Sequence, residues 1–160
     1  MLVGDGKMDE EERCAMDWYL SALYQTSRGR LAGATMKVEP TTWYIFQNQQ
    51  ELMTSVEQYT LRYLAMRSYA NGSTTKRERE KGLNRANRML RPDIEALLKA
   101  GEDAFLVAVR ERVLQEHGNG VLNLCPRCGT LARTAKARQC HQCFHRWHSP
   151  PQEVVGQQVQ

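Results

Sequence analysis

The sequence predicts a mainly α-helical protein, with a body of four or five helices followed by a small β-hairpin module that carries four cysteines. Apolar residues recur at helical spacing through much of the first 117 residues. Two C-x-x-C pairs follow the glycine-rich stretch at 117–120. We therefore expect a helical domain over 1–117, a cysteine module over 121–148 and a disordered tail over 149–160, because that tail has little apolar surface to bury.

The first predicted helix begins at Asp9 and ends near Thr26. Acidic residues fill its first turn, where the helix dipole favours negative charge. Its apolar positions at helical spacing are Met16, Tyr19, Leu20 and Leu23. Residues 28–40 contain two glycines and a proline, which predicts a loop, and residues 43–46 show no decisive pattern.

The most regular helical pattern lies between residues 48 and 72. Asn48 and Glu51 have the form of a capping box, which predicts the start of a helix at this point. Asn71 followed by Gly72 is typical of a helix end. The apolar positions between these signals are Leu52, Val56, Tyr59 and Tyr63.

Two or three further helices are predicted between residues 75 and 117. Thr75 with Glu78 resembles another capping box and precedes a highly charged helix that extends to Leu90. Pro92 suits the first turn of the next helix. Gly101 either interrupts that helix or lies inside a longer one that continues to residue 117.

The four clustered cysteines carry the clearest chemistry. Cys125 and Cys128 form one C-x-x-C pair, and Cys140 and Cys143 form the other. Two thiolates on each of two tight turns complete the tetrahedron that zinc prefers. The sequence Cys-Pro-x-Cys-Gly at 125–129 resembles the zinc knuckle of zinc-ribbon proteins, and this resemblance covers 121–148 only. It implies one structural Zn²⁺ per chain, held by the four cysteines and closed to substrate.

Several alternatives for this module stay open. Iron is a weaker candidate for the four thiolates, and disulfides or redox-active thiols are a minor one. His141, His145 or His148 could replace a cysteine, although four thiolates already satisfy the ion. Phe144, rather than a glycine, follows the second pair, so the second turn could differ from the first.

The apolar residues of the module are expected to form a miniature core that the metal supports. These residues are Leu122, Leu124, Leu131, Phe144 and Trp147. Phe144 and Trp147 have a second interpretation, as rings on which nucleic-acid bases stack.

Uncompensated positive charge is the main functional signal. Residues 121–148 contain no carboxylate and five cations, which are Arg127, Arg133, Lys136, Arg138 and Arg146. Cations without neighbouring carboxylates can pair with the phosphates of a nucleic acid, so we expect association with DNA or RNA. The basic segment 76–91 is more simply a solvated helix face. The alternative function is a protein-interaction or assembly adaptor, whose body self-associates and whose module docks a protein partner.

Composition excludes some other classes of protein. The 160 residues carry 22 basic and 18 acidic side chains, a net charge of +4, and no catalytic constellation, so we expect a non-enzymatic protein. No apolar run approaches the ~20 residues that cross a bilayer, and residues 1–12 resemble no signal peptide. We expect a soluble cytoplasmic protein whose thiols stay reduced. The fifth cysteine, Cys14, is expected in a buried or half-buried position.

Overall fold

The computed structural model describes residues 8–27 and 38–147. These residues form six α-helices and contain no extended strand. The helices are α1 Glu10–Ser27, α2 Pro40–Asn48, α3 Ser55–Asn71, α4 Lys76–Met89, α5 Pro92–Leu97 and α6 Glu102–His117. Short 3₁₀ turns lie at Gln50–Leu52 and Asn119–Val121. Residues 28–37 of the predicted loop, His148 and the predicted tail 149–160 lie outside the described residues.

Helix α1 begins and packs as its sequence predicts. Asp9 and Glu12 cap it reciprocally, since the backbone N–H of each donates to the carboxylate of the other at 3.3 and 3.0 Å. The predicted apolar face is buried, with Met16, Tyr19, Leu20 and Leu23 at most 5% exposed. The prediction for Cys14 was wrong, because this residue lies outside the buried face and is exposed.

Helix α2 occupies part of the predicted loop and the undecided stretch after it. Pro40 is its first residue, where the missing N–H costs nothing and the fixed φ suits a helix. Tyr44, Ile45 and Phe46 are fully buried. The prediction of a loop up to Pro40 was therefore wrong at its end, since Pro40 starts a helix here.

The start of α3 also differs from the prediction. Asn48 ends α2, and its side-chain amide donates back to the Tyr44 carbonyl at 3.1 Å. The capping box is formed six residues later by Thr54 and Glu57. Glu57 is further fixed by two hydrogen bonds from Arg112 on α6, at 2.9 and 2.5 Å, which the sequence around Asn48 could not supply.

Helices α4 to α6 follow the predicted boundaries. Thr75 caps α4, accepting the Glu78 N–H at 3.2 Å. Gly82 lets α4 approach α3 closely, since a Cβ at this position would lie 2.6 Å from that of Ala70. Gly101 separates α5 from α6 and has a φ of 98°. It therefore interrupts the helical segment and does not lie inside a longer helix.

The helices share one apolar core, which also contains ordered polar contacts. Tyr19 donates to Glu102 at 2.5 Å, and Arg67 pairs with the other oxygen of the same carboxylate at 3.1 Å. Burial, together with the negative charge of Glu102, holds the pKa of Tyr19 well above its usual value. In the described parts of the chain, no helix combines the length and apolar character needed to span a membrane.

Candidate metal centre and basic surface

The four predicted cysteine ligands lie together. Their Sγ atoms are all within 4.8 Å of one another, and the pairs Cys125–Cys143 and Cys128–Cys140 are each 3.6 Å apart. A disulfide bond would need about 2.0 Å, so these cysteines are unlinked. Tetrahedral zinc with Zn–S bonds of about 2.3 Å separates its sulfurs by about 3.8 Å. The cluster could therefore hold one metal ion.

The two C-x-x-C turns have the same backbone hydrogen bonds. In the first turn Gly129 donates to the Cys125 carbonyl at 2.8 Å, and in the second Phe144 donates to the Cys140 carbonyl at 3.1 Å. One antiparallel bridge closes each turn, Leu124 with Leu131 and Gln139 with Arg146. Within the described residues these are isolated bridges, so the predicted β-hairpin is not confirmed as paired strands.

Phe144 adopts a backbone conformation that normally favours glycine. Its φ is 57°, close to the 70° of Gly129 at the matching position of the first turn. The second turn thus repeats the first despite its different residue. Bulky side chains rarely adopt this left-handed region, because Cβ crowds the backbone.

The surroundings of the cysteine sulfurs shift the pKa values of two of the four thiols. The hydroxyl and the backbone N–H of Thr130 hydrogen-bond to Cys128 and lower the pKa of its thiol to about 6. The His145 backbone N–H acts the same way on Cys143, but burial and the neighbouring cysteine sulfurs raise the pKa of that thiol to about 12. Four close sulfurs cannot all ionise without a positive partner, which a divalent metal provides.

His141 and His145 are not part of the cysteine cluster. Within the described residues, the group that could hold a metal consists of the four cysteines, without His141 or His145. The His145 ring stacks on Trp147 with centroids 6.4 Å apart. His148, the third alternative ligand, lies outside the described residues.

The predicted miniature core forms only in part. Trp147 is buried beside Ala132, Cys125 and Cys140. Leu122 and Leu131 pack instead against the core of the helical body. The prediction was wrong for Leu124 and Phe144, which are 40% and 71% exposed and belong to neither apolar cluster of the described residues.

Asn123 joins the module to the helical body, a role that sequence reasoning missed. Its side-chain amide is buried and donates to three carbonyls of the segment between the cysteine pairs, at 2.9 to 3.3 Å. These acceptors are Thr134, Ala135 and Ala137. Its backbone N–H donates to the buried Tyr44 hydroxyl at 3.3 Å. Nothing local in the sequence signals a contact between residues 79 positions apart.

The five predicted cations of the module are all exposed. Within the described residues, Arg127, Arg133, Lys136, Arg138 and Arg146 take part in no ion pair. The basic segment 76–91 differs, because Arg85 pairs with Asp9, Glu11 and Glu12 at the start of α1. Arg91 likewise pairs with Asp93. Arg77, Lys81 and Arg88 of this segment also take part in no ion pair among the described residues. The segment nevertheless contains Glu78 and Glu80, whereas 121–147 contains five cations and no carboxylate.

A cavity of about 430 Å³ lies where the module meets the helical body. Arg133 lines it from the module, and Tyr24 and Trp43 line it from α1 and α2. The two aromatic rings are in contact, with centroids 4.7 Å apart. One exposed cation of the module thus lies beside an aromatic surface of the body.

Comparison of the chain with protein-family models, with curated proteins and with solved structures finds no match in any of the three.

Proposed function

We propose that this protein is a non-enzymatic zinc protein that associates with nucleic acid through its cysteine module. The observation that carries the proposal is the coincidence of two features in 121–147. Four cysteine sulfurs are close enough to hold one metal, and five exposed cations have no carboxylate partner in the described residues. A phosphate backbone offers the counter-charge that the protein itself does not supply.

Zinc is the proposed metal, and its role is structural. Four thiolates suit zinc and fill its tetrahedral shell, which leaves no position open for a substrate or water. Cys125, Cys128, Cys140 and Cys143 would be the ligands, and Thr130 supports Cys128 through the hydroxyl contact of 3.2 Å. The metal would fix the segment 129–139, which carries Arg133, Lys136 and Arg138, between its two anchored ends.

Charge reversal tests the nucleic-acid interface. Replacement of Arg133, Lys136 and Arg138 with Glu should weaken binding to DNA and RNA and flatten its salt dependence. Each lost phosphate contact lowers the slope of log affinity against log salt by about 0.9 on a duplex. Zinc content should not change, since none of the three is a ligand.

A matched control separates a local interface from overall charge. Replacement of Arg77, Lys81 and Arg88 on the exposed face of α4 with Glu changes the net charge equally. It should weaken binding much less than the module variant. Equal losses in both variants, or a wild-type protein without affinity at low salt, would contradict the proposed interface.

The second candidate function, an assembly adaptor, has one specific observation in its favour. Trp18 and Tyr69 are 43% and 38% exposed and meet edge to face, with ring centroids 6.4 Å apart. They line a cavity of about 410 Å³ between α1, α3 and α4. If this surface mediates self-association, sedimentation equilibrium should show a dimer that Trp18→Ser abolishes. A monomer at all concentrations would remove this form of the adaptor hypothesis.

A further inference from the structure

Phe144 combines two properties that the metal site does not explain. It is the most exposed of the large apolar side chains among the described residues, at 71%. It also has a φ of 57°, where a bulky residue is strained. The matching position of the first turn is Gly129, which adopts the same conformation without that cost. The turn therefore needs no phenylalanine for its own geometry.

The ring does not stabilise the folded protein through contacts that the structure shows. Trp147, Ala132 and the ligands Cys125 and Cys140 form the buried cluster of the module, and Phe144 is not among them. Within residues 8–27 and 38–147 its ring makes no aromatic or cation–π contact. A strained residue whose side chain faces solvent suggests a role in recognition.

The surroundings of Phe144 indicate what it recognises. A protein-docking surface is normally a contiguous apolar patch, whereas only Leu124 accompanies Phe144 as a large exposed apolar residue in the module. The charged side chains of 121–147 are all basic. Isolated aromatic rings among cations are typical of single-stranded nucleic-acid binding, where bases stack on the ring and the cations contact phosphates.

We infer that Phe144 is a base-stacking residue and that the nucleic acid bound by the module is single-stranded. This inference rests on the proposed function and makes it more specific. A base within a duplex is already stacked on its neighbours, so an exposed ring gains a partner only where bases are unpaired. Duplex contacts would involve the cations alone.

Phe144→Gly tests the inference because it should weaken binding to a single strand without destabilising the zinc-bound fold. Glycine relieves the left-handed backbone, so resistance of the bound zinc to a chelator should stay equal or increase slightly. Affinity for a short single strand should fall by about fivefold or more, the loss expected from one stacking contact. Phe144→Tyr keeps a ring at this position and should bind as the wild type does.

The assay would measure fluorescence anisotropy of the zinc-loaded full chain with single-stranded DNA, single-stranded RNA and a duplex of the same sequence. The inference predicts tighter wild-type binding to the DNA or RNA single strand than to the duplex, and a Phe144→Gly loss confined to single strands. Phe144→Asn, which also tolerates a positive φ, should reproduce that loss.

Two results would overturn the inference while leaving the proposed function intact. One is salt-dependent wild-type binding that Phe144→Gly does not change. The other is an equal loss on single strands and duplex. A wild-type protein that binds none of the three probes at low salt would instead contradict the proposed function itself.

Discussion

The helical body and the cysteine module differ in the interactions that stabilise each of them. The body buries large side chains completely, among them Tyr44, Ile45 and Phe46. Among the described residues, the apolar cluster of the module has four buried members, which are Cys125, Ala132, Cys140 and Trp147. Two of these four are candidate metal ligands. We therefore expect the body to fold on apolar burial, and the module to need a bound metal ion to offset the entropy of ordering the chain.

Metal removal should produce the largest difference between the two regions. Chelation is expected to abolish amide protection in 121–147, because no apolar core replaces the metal there. Helical circular dichroism should largely persist, since α1 to α6 keep their shared core. Hydrogen exchange and circular dichroism on the same sample check both expectations. Complete loss of helicity would show a single cooperative unit instead.

Asn123→Ala should loosen the cysteine module and leave the helical body intact, because the side-chain acceptors lie within the module and the backbone N–H bond to Tyr44 is kept. It removes the two N–H donors of a buried amide, which contact three carbonyls, a loss of roughly 2 kcal/mol at about 1 kcal/mol for each N–H. Amide exchange around residues 131–138 should accelerate by the corresponding factor. Asn119→Ala is the matched control, because Asn119 is exposed and its side chain donates no hydrogen bond in the described structure. Equal exchange rates in the two variants would count against this role of Asn123.

Gly82→Ala should affect the body alone and by a smaller amount. A Cβ here overlaps that of Ala70, which we expect to destabilise the body by about 1–2 kcal/mol despite the better helix propensity of alanine. Thermal unfolding measures the change, and zinc retention should be unaltered. Gly120→Ala meets no atom within 4 Å and should change stability little. A raised melting temperature for Gly82→Ala would mean that α3 and α4 are not so closely packed.

Local patterns predicted most of the helical body. The apolar face of α1, the charged helix after Thr75 and the break at Gly101 follow from spacing, capping and backbone preference. Helix α2 was missed because Pro40 was interpreted as a loop residue, although it equally suits the first turn of a helix. The prediction of a capping box at Asn48 was wrong. Thr54 and Glu57 have the same spacing, and Glu57 also accepts a hydrogen bond from the distant Arg112.

In the candidate site, too, the features that depend on neighbouring residues could be predicted, and those that depend on distant contacts could not. Ligand spacing identified the four cysteines, because each C-x-x-C pair is a local turn. The conformation of Phe144 could be suspected from its alignment with Gly129, but its exposure depends on how the module packs. The contact of Asn123 with Tyr44 spans 79 positions and has no local signal.

The metal content of the protein, purified without added metal, tests the central claim most directly. Elemental analysis should find one zinc per chain in the wild type, and Cys140→Ser should retain far less, because it removes one of the four thiolates from the cluster. Cys14→Ser, at an exposed position outside the cluster, should keep the full equivalent. A wild-type protein without zinc, or a Cys140→Ser variant with a full equivalent, would contradict a tetrathiolate zinc site.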